Sequence, residues 1–331
     1  MTIDACALTN GILAGDRRAL AKGITLIESS RQEDQDCAEK LLVNLLPHSG
    51  KATILGITGI PGVGKSTFIE TLGNIILKLG HKVAVLAVDP SSPVSGGSIL
   101  GDRTRMQGLS ANLGSFVRAS PSDHGTGGIG RKTQEAILLV DAAGYDFVLV
   151  ETIGVGQVEY AVADMVDAFV VLQMPNTGDG LQSLKKGILE LADLIVINKC
   201  DGELQHAAQI CQQQHQNALS FIHQQDDRQA PSVLLCSSLD SNSVAQVFDE
   251  IQKFVDQQKG TGAFEHRRLD QRQRWFDREL PKQLLKELAE IPKIKALFDS
   301  QREQVKTLKI PASIAVKRII QNFSGNMEPH L

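Results

Sequence analysis

Gly59-Ile60-Pro61-Gly62-Val63-Gly64-Lys65-Ser66, flanked by TILGIT (53–58) and TFIETLGNIILKL (67–79), decides how this chain is read. A β-rich run enters the glycines and a helical run leaves them, which is the context a phosphate-binding loop requires. The glycines let backbone N–H groups turn toward phosphate oxygens, and the start of the following helix adds a positive dipole. Lys65 supplies a point charge, Ser66 is placed to hold magnesium, and Thr67 completes the nucleotide-binding stretch.

Outward from this loop, short β-rich runs alternate with helical stretches. TILGIT, KVAVLAV, DFVLVE, AFVVLQ, LIVIN and SVLLC are each bounded by Gly, Pro, Asp or Asn. That rhythm predicts an α/β fold with a mostly parallel sheet flanked by helices. The runs are apolar throughout, as suits strands covered on both faces, and parallel sheets carry ligand loops at their carboxyl ends. Residues 1–48 read as a helical N-terminal extension, 49–260 as the nucleotide-binding domain, and 261–331 as a helical C-terminal arm. The glutamine-rich stretch 205–229 reads as a solvated helix and its exit loop.

Asn198-Lys199-Cys200-Asp201 follows the apolar strand LIVI. A carboxylate at Asp201 accepts from guanine's ring N–H and exocyclic amine together. Adenine presents an acceptor at that ring position and would leave the aspartate unpaired, at a cost of ~1 to 3 kcal/mol. The motif therefore predicts GTP and GDP rather than adenine nucleotides. Cys236-Ser237-Ser238, delivered by SVLLC, is expected to close over the base edge through backbone N–H groups.

Phosphoryl transfer also needs magnesium and a sensor of the terminal phosphate. Glu151, Asp89 and Asp102 compete for the metal. Glu151 begins Glu151-Thr152-Ile153-Gly154, where Gly154 can offer its N–H to the terminal phosphate; Asp89 ends KVAVLAV; Asp102 lies on the glycine-rich connection GGSILGDRTRM. No glutamine directly follows Gly154, and Gln157 comes three places late, so slow unassisted hydrolysis is expected.

Composition narrows the remaining classes. The 34 basic and 38 acidic residues leave a net charge of −4 with no like-charge block, which argues against nucleic acid or an anionic membrane as partner. Five cysteines form no C-x-x-C pair and the histidines are scattered, so a metal-delivering protein lacks its soft ligands. No stretch reaches a membrane span and MTIDACALTN lacks the order of a secretion signal, giving a cytoplasmic expectation. A kinase with this loop would favour ATP, against Asp201.

The strings GIPGVGKSTF, AVDPSSPVSGGSILGDRTRM, ETIGVGQVE, GDGLQSLKKGILELADLIVINK and NKCD together resemble the methylmalonyl-CoA mutase-associated GTPases, the MeaB/ArgK-like family also known as lysine-arginine-ornithine transport kinases, within the signal-recognition-like branch of P-loop GTPases. The resemblance covers most of residues 40 to 260. It implies a homodimeric chaperone, paired through the helical tail, that uses GTP to gate cofactor loading of a cobalamin-dependent acyl-CoA mutase. It also implies Lys65, Asp89, Asp102 and Glu151 as the catalytic and magnesium set, and Gln173 to Lys186 as a segment coupling nucleotide state to the partner. The chain departs from the family pattern at Pro175-Asn176-Thr177, Gly180 and Ser183. Ser238 stands where alanine is commoner, a change expected to be tolerated because the backbone reads the base.

Overall fold

The computed structural model describes residues 4–90, 106–122, 128–152, 158–175, 186–222 and 230–324. Its centre is one sheet of seven parallel strands: β1 (Thr53–Gly59), β2 (Val83–Pro90), β3 (Ser115–Ser122), β4 (Phe147–Thr152), β5 (Ala168–Gln173), β6 (Leu194–Ile197) and β7 (Ser232–Leu235). The spatial order is β3-β2-β4-β1-β5-β6-β7, which puts the strand feeding the glycine-rich loop in the middle.

Successive side chains of a strand point to opposite faces, and here the two faces become two cores. Val148, Val150, Phe169, Val171, Ile195 and Ile197 enter one; Leu149, Val170, Leu172, Leu194 and Val196 enter the other. This is why six of the strands read as apolar runs; the seventh, the edge strand β3, SFVRASPS, carries Ser, Arg and Pro and does not read as a strand from sequence. The second core is closed by α4 (Lys65–Lys78), α5 (Gln107–Ala111) and α10 (Ser241–Thr261), through Phe68, Ile69, Leu72, Leu109, Val247 and Phe248.

The first core is covered by α6 (Gly128–Ala142), α7 (Val158–Ala163), α8 (Lys186–Leu191) and α9 (Gln205–Ile222), and by the N-terminal helices α1 (Ala5–Leu13), α2 (Arg17–Glu28) and α3 (Gln32–Leu45). Asp4 and Asp16 cap α1 and α2 by accepting from the N–H groups of Cys6 and Arg18. Ile12, Leu20, Ile24, Leu41 and Leu45 are buried with Leu139 and Val140 of α6, and Glu28 pairs with Arg118 of β3 at 2.5 Å. The described N-terminal residues, 4–48, are thus largely helical, and α1 to α3 share the sheet's own core.

The chain divides into two compact units, Met1–Gln271 and Arg272–Leu331, and the division falls inside α11 (Ala263–Glu290), beyond the composition change near residue 260. The reason lies in the first turns of α11. Arg267 makes a two-pronged bond to Asp193 (2.9 and 2.8 Å). Arg268 grips Asp167 (2.7 and 2.6 Å) and the carbonyls of Gly50 and Ala52 (2.8 and 2.7 Å). Gln271 donates to Val166 O at 2.8 Å. The second unit holds the rest of α11 with α12 (Pro292–Lys306) and α13 (Ala312–Ser324), and there Trp275 buries an indole N–H that has no hydrogen-bond partner. Among the described residues no helix is long and apolar enough to cross a membrane.

Candidate active site

The glycine-rich loop leaves β1 at Gly59 and becomes α4 at Lys65. Two of its glycines are required by close approach. A Cβ on Gly59 would lie 2.5 Å from Leu172 O of β5, and a Cβ on Gly64, whose φ is 100°, would lie 2.7 Å from Asn198 Nδ2. Gly64 also means that no side chain caps α4, so its first N–H groups are left for an anion. Lys65 Nζ is buried and donates to Gly59 O (2.7 Å) and Ile60 O (3.3 Å), so the ammonium is held inside the loop that would surround a phosphate.

Glu151 is next to last in β4, beside Ile57 of β1 and Ala87 of β2. Its carboxylate, buried, accepts from Ser66 Oγ at 3.0 Å, so two residues assigned to magnesium from sequence alone meet in space. Thr152 donates to Thr58 Oγ1 at 2.7 Å, tying the ends of β4 and β1 together just before each strand gives way to its loop. Sequence reasoning missed this pair, because a buried threonine in an apolar run looks like any β-branched strand residue. Asp89, described by its backbone, continues β2 one register step past Val88, which faces Thr152. Asp102, Gly154, Gln157 and residues 176–185 lie outside the described residues.

The second half of the site stands on β6 and β7. Asn198, 1% exposed, donates from Nδ2 to Val63 O at 2.7 Å and accepts at Oδ1 from the Ser238 N–H (3.0 Å) and hydroxyl (2.8 Å). Lys199 takes the left-handed conformation, φ 59°, unusual for a side chain of its size. Asp201 is exposed, and Ser237 Oγ donates to its carboxylate.

Here one expectation changes. The backbone N–H groups of Cys236, Ser237 and Ser238 are already donated inside the protein, to Ile197 O (2.8 Å), Ser243 Oγ (3.0 Å) and Asn198 Oδ1 (3.0 Å). The segment therefore holds Asn198 and Asp201 in place, with hydroxyls as well as backbone. Ser238 is accordingly more than a tolerated substitute for alanine: its hydroxyl has a bond of its own.

The thiols beside this segment are held toward their protonated form. Burial pushes Cys236 up to about 11, with the negative charge of Asp240 adding to the rise and a bond to Ser243 opposing it. Burial and the neighbouring Asp201 raise Cys200. A protonated thiol reacts slowly, and both side chains pack against apolar neighbours.

A parallel sheet whose central strand opens into Gly59–Ser66, with Asn198-Lys199-Cys200-Asp201 two strands away and bonded to it, defines a P-loop GTPase. The sequence model of the family described as "Methylmalonyl Co-A mutase-associated GTPase MeaB" matches residues 20–293, and the chain belongs to that family. It is 41% identical over 320 residues to a probable GTPase of Mycobacterium tuberculosis, covering 97% of this chain and 95% of the relative. It is 40% identical over 328 residues to the mitochondrial methylmalonic aciduria type A homolog of Mus musculus, covering 96% of this chain and 79% of the relative. A solved structure of a LAO/AO transport system kinase superposes with a TM-score of 0.77 at 31% identity, covering 98% of this chain and all of that one.

Proposed function

We propose that the chain binds and hydrolyses GTP with magnesium and, as a cytoplasmic homodimer, serves as a chaperone that gates cobalamin loading and protection of methylmalonyl-CoA mutase or a related acyl-CoA mutase. The observation that carries the nucleotide reading is the Asn198 bridge: its 2.7 Å bond to Val63 O brings the loop bearing Asp201 beside the glycine-rich loop, so one nucleotide can span both. The client is supported by the family's description and by the name of the mouse relative.

Gly59 to Thr67 would surround the phosphates, Lys65 offsetting their charge while the N–H groups at the start of α4 point at them. Asn198, Lys199 and Asp201 would face the base, supported by Cys236, Ser237 and Ser238, and Gly154 would meet the terminal phosphate. Ser66 and Glu151 fit magnesium, because a hydroxyl and a carboxylate oxygen, both hard donors, already lie 3.0 Å apart. Asp89 and Asp102 complete that set. When bound, the metal would supply electrostatic stabilisation of the phosphate oxygens. The protein's own part is to align the nucleotide, hold the carboxylate of Glu151 beside Ser66, and exclude adenine at Asp201.

The test is turnover of GTP and of ATP by the purified protein with magnesium, alone and with the cobalamin-dependent mutase of the same genome. Slow GTP-specific turnover that rises with the mutase is the expected result. Turnover indifferent to the mutase removes the client, and preference for ATP removes the reading of Asp201.

A further inference from the structure

The nucleotide site contains a closed hydrogen-bond circuit that extends to Thr71, a residue outside the nucleotide motifs. It runs from Val63 O of the phosphate loop to Asn198 Nδ2 (2.7 Å), and from Asn198 Oδ1 to the N–H and hydroxyl of Ser238 (3.0 and 2.8 Å). It returns from Ser238 O to the hydroxyl of Thr71 (2.8 Å), on the helix α4 whose first residue is Lys65. The phosphate loop, the end of β6, the loop after β7 and α4 are thereby joined in one ring. Asn198 and Ser238 are buried, where water competes little for these bonds.

We infer that Thr71 is a positioning residue which, through Ser238 and Asn198, fixes the spacing of the base-reading and phosphate-binding loops and so sets how long guanine nucleotide stays bound. The Thr71 hydroxyl donates to Ser238 O and the Ser238 hydroxyl to Asn198 Oδ1, so the one proton each has to give is used within the ring. A nucleotide that spans the two loops leaves when they loosen relative to one another. A ring of bonds resists that motion at every link, and its members act as a unit. The effect falls on release of GDP and GTP alike and leaves the chemical step untouched, since the Thr71 hydroxyl bonds Ser238 O, whereas Lys65 Nζ bonds Gly59 O and Ile60 O and Ser66 bonds Glu151.

This inference rests on the nucleotide reading above, and the experiment separates the two. Release of a fluorescent GDP is timed by stopped flow in Thr71→Val, Thr71→Ser and Ser238→Ala, alongside single-turnover GTP hydrolysis and thermal unfolding of the Thr71 variants. Thr71→Val is expected to speed release about fivefold, the size of one net hydrogen bond, with single-turnover hydrolysis unchanged. Thr71→Ser, which keeps the hydroxyl, restores slow release; Ser238→Ala speeds it, and adding Thr71→Val to Ser238→Ala brings less than the product of the two. Unchanged release in Thr71→Val, whether or not its unfolding temperature falls, overturns the inference, as does a changed hydrolytic step. Asp201→Asn is the control on the site itself. If it shifts preference from guanine to xanthine nucleotides while release is insensitive to Thr71, the circuit alone is wrong; if guanine preference survives it, the base site is wrong.

Discussion

Asn198 Nδ2 donates to Val63 O across 2.7 Å, joining two loops separated by 135 residues of sequence. The same side chain accepts twice from Ser238, so truncation leaves Val63 O and the Ser238 donors without their partner at once. Unpaired buried groups cost about 1 to 3 kcal/mol each. Asn198→Ala is therefore expected to weaken GDP binding by roughly a hundredfold and to lower the unfolding temperature without nucleotide, both readable by titration calorimetry and a thermal melt.

Glu151→Gln keeps the shape beside Ser66 but removes the negative charge. GTP binding without magnesium should persist, while turnover falls on the order of a hundredfold, as when one pre-placed electrostatic group is lost. A magnesium titration of turnover should move to higher concentration. Wild-type magnesium dependence in this variant would remove Glu151 from the metal set.

Arg268 is the anchor of α11. Its guanidinium bonds both oxygens of Asp167, whose side chain is 2% exposed, and the carbonyls that precede β1. Burial alone would lower its affinity for the proton, but the Asp167 bond and charge outweigh burial and raise it. Removing one partner of such a pair strands the other, at a cost of about 3 to 5 kcal/mol. Arg268→Ala should show that loss in urea unfolding, and Asp167→Asn a smaller one.

His215 is 2% exposed on α9 with an unbonded Nδ1, and burial lowers its pKa below the ordinary 6.5. Because the unfolded chain binds this proton more readily than the folded one, stability rises with pH through the window below 6.5. Its contribution is complete above 6.5 and is lost as the pH falls toward the depressed folded value. His215→Phe should flatten that part of the stability profile in denaturant melts between pH 5 and 7.

Most of the architecture was legible because six of the seven strands are apolar runs bounded by turn residues, and because Gly59–Ser66 and Asn198–Asp201 each follow such a run; the edge strand β3, SFVRASPS, was missed because Ser, Arg and Pro interrupt its apolar residues. Ser66 and Glu151 were legible as partners because one opens the helix after the β1 loop and the other stands near the carboxyl end of β4. Three further features were not. The membership of α1, α2 and α3 in the main core was hidden, since helical spacing shows that a face is apolar without showing what covers it. In sequence the arginines at 267 and 268 read as part of the helical C-terminal arm, because only the fold brings Asp167 and Asp193 to them. The roles of Thr71, Thr58 and Ser238 were invisible, because a hydroxyl's partner lies across the sheet or between helix and loop.

The burial of Ile12, Leu20, Ile24, Leu41 and Leu45 beside Leu139 has a practical corollary for anyone preparing fragments of this protein. A chain begun at residue 49 would retain every nucleotide motif yet leave the outer face of α6 bare. Its fate in the test tube would be set by that exposed grease, through clumping and chaperone capture, well before any nucleotide could be offered to it.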